Sequence, residues 1–308
     1  MKIRILEPED FPPAAVGLLR EIAEVELGPP GPDPDPDVAA VFVRLARHLG
    51  PDLSATYPNL RWIVSPTTGL DHIDRDHFAT RGVEVISLRG RTEFLDRIHA
   101  TAELTIAAAL ALYRDLPAAD RSVRSGVWDR YAHKGRELHG KTVLILGYGR
   151  IGRLVAPLYR AFGCRVLAHD CVPGRVPAEL ACAFPEALAE TDLLSVHLPL
   201  DDGTGGMVDA AMIARLPARA VLINTSRGEI VSQDDLFAAL ERGSLAGAAL
   251  DVLKGEPAPL SPEVLRALEK LDGRLLVTPH IGGFTHESLE AVEMFMAEVL
   301  LQAVRDGR

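Results

Sequence analysis

The sequence predicts an α/β protein built on parallel sheets. Short apolar segments alternate with helical patterns along most of the chain, which is typical of βαβ units. One apolar segment runs directly into a glycine-rich turn at the point where a helical pattern begins. The length of 308 residues has room for two domains of about 150 residues each. We therefore expect two doubly wound parallel-sheet domains.

The first third of the chain predicts strands, a helix and a proline-rich loop. The helical pattern covers residues 14–27. Residues 28–37 hold five prolines and are expected to form a stiff surface loop. The predicted strands are short apolar runs at residues 3–6, 40–43, 62–65 and 83–86.

A helical pattern comes next, and from residue 142 onward the pattern of strands becomes stronger. Residues 100–113 predict a buried helix, too short to cross a bilayer, which needs about 20 residues. Six nearly continuous apolar runs follow, as expected for strands buried on both faces, and they predict a Rossmann-type sheet. The runs lie at 143–146, 165–168, 193–196, 221–223, 248–250 and 275–277, and the helices at 151–162, 234–242 and 285–306.

Composition excludes several classes of protein. A 47% hydrophobic and 25% charged chain is an ordinary globular one, not a disordered, collagen-like or coiled-coil one. The net charge of −10 and the lack of a basic stretch argue against nucleic acid or an anionic membrane as a partner. Three cysteines without a CxxC pair, and an N-terminus unlike a signal peptide, predict a reducing, cytoplasmic location. No HExxH pattern occurs, so we expect no metal site.

The glycine-rich turn, GYGRIG at residues 147–152, fits a dinucleotide-binding site. It follows the strand at 143–146 and opens a helix, which is the context that this motif requires. Gly147 is expected to form the tight turn, Gly149 to admit a pyrophosphate, and Gly152 to let the helix pack closely. The phosphates would then lie at the helix N-terminus, beside Arg150 and Ile151.

Asp170 predicts which dinucleotide binds. It ends the next strand, 18 residues after Gly152, where a carboxylate accepts hydrogen bonds from the ribose hydroxyls and repels a 2′-phosphate. NAD is therefore expected rather than NADP. Arg175, in the following loop, is the one nearby cation that argues for NADP.

Three charged residues follow later strands of the same predicted sheet. Arg227 lies in NTSRG, Glu256 in DVLKGEP and His280 in TPHIGG. Ligands of open α/β sheets bind outside the carboxyl ends of the strands, so these three side chains can converge although they are distant in sequence.

Together these segments resemble the D-isomer-specific 2-hydroxyacid dehydrogenases, over nearly the whole chain. The resemblance also rests on SPTTGLDHID at residues 65–74, TAE at 101–103 and SVHLPL at 195–200. It implies that a Rossmann NAD-binding domain, residues 97–283, is inserted into a flavodoxin-like substrate domain, residues 1–96 with 284–308. It further implies a homodimer and an exchange of hydride between NAD and a small D-2-hydroxy acid.

The resemblance gives the three charged residues their roles. Arg227 is expected to grip the substrate carboxylate, for which a planar guanidinium is well suited. His280 is expected to be the acid/base, since histidine exchanges protons near neutrality. Glu256 is expected to pair with His280, and a neighbouring carboxylate favours the imidazolium.

Further contacts follow from the same family. The N–H groups of Thr68, Gly69 and Leu70 are expected to hold the substrate carboxylate, and Asp251 the nicotinamide carboxamide. Leu253 stands where the family often has an aromatic residue, which leaves the shape of the substrate side open. The residues expected at the cofactor are Gly147, Gly149, Arg150, Ile151, Gly152, Asp170, Leu198, Pro199, Thr204, Thr225, Asp251 and Gly282.

The substrate stays open at this point. The segment containing Arg44 resembles the VRS segment of 3-phosphoglycerate dehydrogenases, whose arginine contacts the phosphate, but Leu45 replaces the serine. Arg44 either binds a phosphate or phosphonate or is simply solvated beside a plain 2-hydroxy acid. Two other functions remain as alternatives to a D-2-hydroxyacid dehydrogenase. They are a phosphite- or formate-type dehydrogenase of the same family and a dinucleotide-sensing, co-repressor-like interaction protein.

Overall fold

The computed structural model describes residues 1–307, which divide into two compact units. The first comprises Met1–Ile98 and the C-terminal segment from Phe284, and the second is His99–Gly283. Each unit has a parallel sheet with helices between its strands, which confirms the predicted fold class.

The first unit is built on a five-stranded parallel sheet. Its strand order is β2-β1-β3-β4-β5, the flavodoxin-like order. Strand β3 is buried along its whole length, as a central strand covered on both faces must be. The strands are β1 (Lys2–Ile5), β2 (Glu24–Leu27), β3 (Val38–Phe42), β4 (Trp62–Ser65) and β5 (Glu84–Ser87). The helices are α1 (Pro13–Leu19), α2 (Pro51–Thr56), α3 (Arg75–Thr80) and α4 (Thr92–Leu95).

The helix predicted over residues 14–27 is wrong in its second half. Helix α1 ends at Leu19, and β2 pairs with β1 instead. Glu26 of β2 lies opposite Arg4 of β1 and forms ion pairs with Arg4 and Lys2. Such cross-strand pairs stabilise an edge strand. The alternating sequence EVEL was the local signal for a strand.

The second unit is built on a six-stranded parallel sheet with the order β7-β6-β8-β9-β10-β11. The chain reverses direction across the sheet between β6 and β8, and ligands of such sheets bind at that switch point. The strands are β6 (Thr142–Leu146), β7 (Arg165–His169), β8 (Leu193–Val196), β9 (Val221–Asn224), β10 (Gly247–Leu250) and β11 (Leu275–Val277). The helices are α5 (Ala100–Tyr113), α6 (Leu116–Arg124), α7 (Arg150–Ala161), α8 (Ala210–Ile213), α9 (Gln233–Glu241) and α10 (Pro262–Lys270).

The last helix, α11 (His286–Arg305), returns to the first unit. Its first turn is capped by Thr285, whose hydroxyl accepts the N–H of Ser288. Its buried face, which includes Met296 and Leu300, packs into the core beside β1, β3 and β4. No helix within residues 1–307 is both long and apolar enough to span a bilayer.

Candidate active site

The glycine turn lies at the carboxyl end of β6, beside the end of β8. Gly147 has φ +95°, and a Cβ there would lie 2.7 Å from the carbonyl oxygen of His197. At Gly152 a Cβ would lie 2.2 Å from the Gly147 carbonyl oxygen. Gly149 caps α7, and a Cβ there would meet no atom within 4 Å. The turn therefore packs tightly against neighbouring backbone at Gly147 and Gly152, whereas the space beside Gly149 is empty. That space fits a pyrophosphate at the N-terminus of α7.

Asp170 does more than end strand β7. Its Oδ2 accepts the N–H of Tyr148 at 2.9 Å, and its Oδ1 accepts the N–H of Val172 at 2.9 Å. The Arg175 guanidinium lies 3.2 Å from both oxygens. The carboxylate is 4% exposed. Asp170 thus anchors the glycine turn and pairs with the Arg175 guanidinium. Sequence reasoning predicted neither contact.

Residues expected along the cofactor also follow β8. The Thr204 hydroxyl donates to the Pro199 carbonyl at 2.6 Å and accepts the N–H of Asp201 at 2.9 Å, and so holds this loop in a tight turn. Leu198 and Thr204 are buried. Thr225, after β9, lies with its hydroxyl 3.0 Å from that of Thr105 on α5.

His197 is a buried histidine that sequence reasoning did not single out. Its Nε2 lies 2.8 Å from the Ser195 hydroxyl, and its Nδ1 has no hydrogen-bond partner among the residues described. Burial lowers the pKa of His197 to about 3, so the ring is neutral at physiological pH. The sequence drew attention to this residue through its place in the SVHLPL segment.

His280 and Glu256 are in direct contact at the carboxyl ends of β11 and β10. His280 Nδ1 lies 2.5 Å from Glu256 Oε1, and the other carboxylate oxygen accepts the N–H of Leu253 at 3.3 Å. His280 has φ +55°, a backbone conformation that residues other than glycine rarely adopt. Its N–H donates to the Asp251 carbonyl at 2.8 Å, which helps to hold this strained backbone.

Asp251 organises the turn that carries His280. Its Oδ1 accepts the Thr278 hydroxyl at 2.6 Å and the N–H of Ile281 at 2.9 Å, and its Oδ2 accepts the N–H of Gly282 at 2.7 Å. Burial raises the pKa of Asp251, and these hydrogen bonds oppose the rise. A Cβ at Gly282 would lie 2.9 Å from the Asp251 carboxylate. The contacts described for Asp251 are thus to its own unit, whereas its predicted role at the nicotinamide stays a prediction.

Arg227 lies in a rigid turn at the end of β9. The Asn224 side chain donates to the Arg227 carbonyl at 2.8 Å and accepts the N–H and hydroxyl of Ser226. The Arg227 guanidinium donates to the Ser226 carbonyl at 2.7 Å. A Cβ at Gly228 would lie 2.1 Å from the carbonyl carbon of Leu253. The Arg227 turn therefore packs backbone to backbone against the segment that leads to Glu256, which brings the three predicted catalytic residues to one end of the sheet.

The expected substrate residues of the first unit follow β3 and β4. The Thr67 hydroxyl donates to the Gly69 carbonyl at 2.7 Å and shapes the turn after β4. The backbone N–H groups of Thr68, Gly69 and Leu70 donate to no acceptor within residues 1–307, so they are available to an anion. Arg44 directly follows Val43, at the end of β3, and its guanidinium is paired with Glu293 at 2.7 Å.

Within residues 1–307, no three His, Cys, Asp or Glu side chains are grouped so as to hold a metal ion. The chemistry available is that of an arginine, a histidine–carboxylate pair and a dinucleotide-binding turn.

Comparison with known proteins identifies the second unit. Residues 106–282 match the profile described as "D-isomer specific 2-hydroxyacid dehydrogenase, NAD binding domain". The chain is 34% identical over 306 residues to D-3-phosphoglycerate dehydrogenase from Mycobacterium tuberculosis, covering 96% of this chain and 55% of that protein. It therefore spans about half the length of that relative.

Two shorter relatives match over nearly their whole length. Hydroxypyruvate reductase from Thermotoga maritima is 31% identical over 270 residues, which cover 87% of this chain and 85% of that protein. The crystal structure of D-lactate dehydrogenase from Aquifex aeolicus, complexed with NAD and lactic acid, matches with a TM-score of 0.84 and 26% identity. That match covers 99% of this chain and 96% of the other.

Proposed function

Because the chain belongs to the D-isomer specific 2-hydroxyacid dehydrogenase family, we propose that it is an NAD-dependent oxidoreductase that interconverts a small D-2-hydroxy acid and its 2-keto acid. The cofactor supplies the hydride donor and acceptor. Gly147, Gly149 and Gly152 shape the turn for its pyrophosphate. Asp170 accepts its ribose hydroxyls in place of the Arg175 guanidinium, which occupies both carboxylate oxygens in this structure.

The contact between His280 and Glu256 carries the proposal. With Nδ1 held by the carboxylate, the imidazole has Nε2 left to serve a substrate oxygen. In the reducing direction His280 donates a proton to the carbonyl oxygen, and in the oxidising direction it removes the proton from the hydroxyl. Glu256 holds the Nδ1 side of the ring and so fixes its orientation.

Arg227 orients the substrate for this proton transfer. Its guanidinium forms two parallel hydrogen bonds to the substrate carboxylate. This geometry sets the orientation of the substrate as well as binding it. The N–H groups of Thr68, Gly69 and Leu70, which the family resemblance assigns to the substrate carboxylate, have no acceptor among residues 1–307. We propose that residues 97–283 form the NAD-binding domain, which also carries Arg227 and His280, and that residues 1–96 with 284–308 form the substrate domain.

We also propose a homodimer in the cytoplasm. Two large aromatic residues after α6 are almost fully exposed, Trp128 at 88% and Tyr131 at 86%, and Val127 beside them is half exposed. Exposed apolar patches of this kind mark protein–protein contacts. The three cysteines are free, as expected in a reducing compartment. Light scattering would test the dimer, and Trp128→Asp is expected to shift it toward the monomer.

A turnover assay tests the proposed activity. NADH oxidation would be followed with glyoxylate, pyruvate, hydroxypyruvate and phosphohydroxypyruvate as substrates. Turnover of at least one keto acid, lost in Arg227→Ala, is the expected result. NADH binding without turnover of any 2-keto acid would overturn the proposal and favour a dinucleotide-sensing interaction protein.

A further inference from the structure

The guanidinium of Arg44, the predicted phosphate ligand, is already occupied by groups of its own unit. Its Nε lies 2.7 Å from Glu293 Oε1, and its Nη1 donates to the Glu9 carbonyl at 2.7 Å. Glu293, on α11, has a fully buried side chain, and that of Arg44 is only 13% exposed. The pair is therefore a buried ion pair and not a solvated surface contact.

A second carboxylate contacts the backbone of the same arginine. Glu7 accepts the backbone N–H of Arg44 at 3.3 Å and that of Ala46 at 3.4 Å. Burial raises the pKa of both Glu7 and Glu293, while the charge of Arg44 lowers it. Arg47 also lowers the pKa of Glu7. The surroundings of Arg44 thus compensate its charge within the protein.

The remaining donor of Arg44 is also poorly placed for a ligand. Its Nη2 is buried, as is Glu293 Oε2, and neither has a hydrogen-bond partner among residues 1–307. The Phe11 ring lies 5.8 Å from the guanidinium carbon. A phosphate that reached Arg44 would lie beside the carboxylate of Glu293, and like charges at such a distance repel each other.

We propose that Glu293 is a specificity residue that neutralises Arg44 and thereby excludes 2-keto acids with a terminal phosphate. The substrate of the proposed reaction is then an unphosphorylated 2-keto acid. This inference rests on the proposed function, because it concerns the same reaction. The proposed substrate therefore differs from the phosphorylated substrate that the names of its phosphoglycerate dehydrogenase relatives suggest.

The test compares hydroxypyruvate with phosphohydroxypyruvate, which differ by the phosphate alone. The wild-type protein is expected to have the higher kcat/KM for hydroxypyruvate. Glu293→Gln removes the competing charge while keeping the shape, and releases Arg44 for the phosphate. A charge-assisted hydrogen bond then raises kcat/KM for phosphohydroxypyruvate relative to hydroxypyruvate roughly tenfold to a hundredfold.

Two further variants make the test specific. Glu298→Gln removes an exposed charge from the same helix and is expected to leave the ratio unchanged. The double variant Arg44→Gln/Glu293→Gln removes both charges of the buried pair together, so it keeps the protein testable if Glu293→Gln alone does not fold. It is expected to retain hydroxypyruvate turnover without the gain for phosphohydroxypyruvate.

Several results would overturn the inference. Wild-type protein that prefers phosphohydroxypyruvate would do so directly, as would a folded Glu293→Gln variant with an unchanged ratio. A gain of the same size in the double variant would show that Arg44 is not the group released. If the wild-type protein turned over no 2-keto acid at all, the proposed function itself would fail, which is a different outcome from a wrong preference.

Discussion

His280 Nδ1 and Glu256 Oε1 lie 2.5 Å apart, although the two residues follow different strands of the sheet. The carboxylate fixes one ring nitrogen of His280 and leaves the other for the substrate. The backbone of His280 is held in the left-handed region by the N–H bond to Asp251. Strain of this kind is retained where the surrounding structure over-determines it, as at functional sites.

Replacing His280 with asparagine is expected to lower kcat by about 10²- to 10⁴-fold, the usual contribution of general acid–base catalysis. NADH should still bind, because the glycine turn is untouched, and a fluorescence titration would measure this. The exposed His286 provides the control, and His286→Asn should behave like the wild type. A kcat that survives in His280→Asn would remove His280 from the mechanism.

Glu256→Gln is expected to lower kcat while NADH affinity is retained. The Glu256 carboxylate lies 2.5 Å from His280 Nδ1 and so orients the ring, whereas glutamine offers a hydrogen-bonding group there without the charge. The measurements are kcat and the dissociation constant for NADH in both proteins. An unchanged kcat would contradict the assigned pairing.

Asp251→Asn is expected to weaken both the fold and the activity. The carboxylate accepts three hydrogen bonds from the His280 turn, whereas an amide must turn a donor toward one of those groups. Leaving a buried donor unsatisfied costs about 1–3 kcal/mol. Urea unfolding would measure that loss, and kcat should fall with NADH affinity largely retained. A variant that lost only NADH affinity would instead support a role for Asp251 at the nicotinamide.

Asp170 and Arg175 are expected to act in opposite directions on the choice of cofactor. Asp170→Ala should weaken NADH binding and relax discrimination against NADPH. Arg175→Ala should increase that discrimination, because its cation partly offsets the charge of Asp170. Dissociation constants for NADH and NADPH, measured by fluorescence, decide the matter. Equal changes for both cofactors in each variant would show that the pair acts only on the glycine turn.

His197 is expected to make the fold sensitive to acid. Burial lowers its pKa to about 3, while in the unfolded chain it stays near 6.5. Between these values the unfolded state binds the extra proton, so stability falls as pH falls. The loss amounts to about 2 kcal/mol between pH 6.5 and pH 5.

The matched variant is His197→Gln, which keeps a hydrogen-bonding group for Ser195 but does not titrate. Its free energy of unfolding in urea should change less than that of the wild type over this range, by about the same 2 kcal/mol. The exposed His286→Asn variant should follow the wild type. Equal slopes in all three proteins would contradict the assignment.

Prediction from the sequence succeeded where one local rule governs the structure. Strands β8 and β11 have the predicted bounds, because each is a short apolar run between polar turns. Strand β2 was missed although its sequence EVEL alternates, because the ion pairs that favour it join it to β1, which lies about 20 residues away in sequence. The strand propensity of a segment does not show which distant strand it pairs with.

The same distinction applies to the site. The glycine spacing indicated the dinucleotide turn because that geometry is local. The pairing of Arg44 with Glu293 joins residues 249 positions apart, and no local pattern announces it. Likewise, the three hydrogen bonds of Asp251 depend on how β10 and β11 align, so only the structure reveals that this carboxylate holds the His280 turn.

The contact of Gly228 with the Leu253 backbone limits how this site can be re-engineered. No other residue fits at position 228 unless the segment before Glu256 moves away. Changing substrate preference by exchanging one loop for that of a relative would therefore displace the partner loop. A successful chimaera would have to exchange the Arg227 turn and the Glu256 turn together, as a single module.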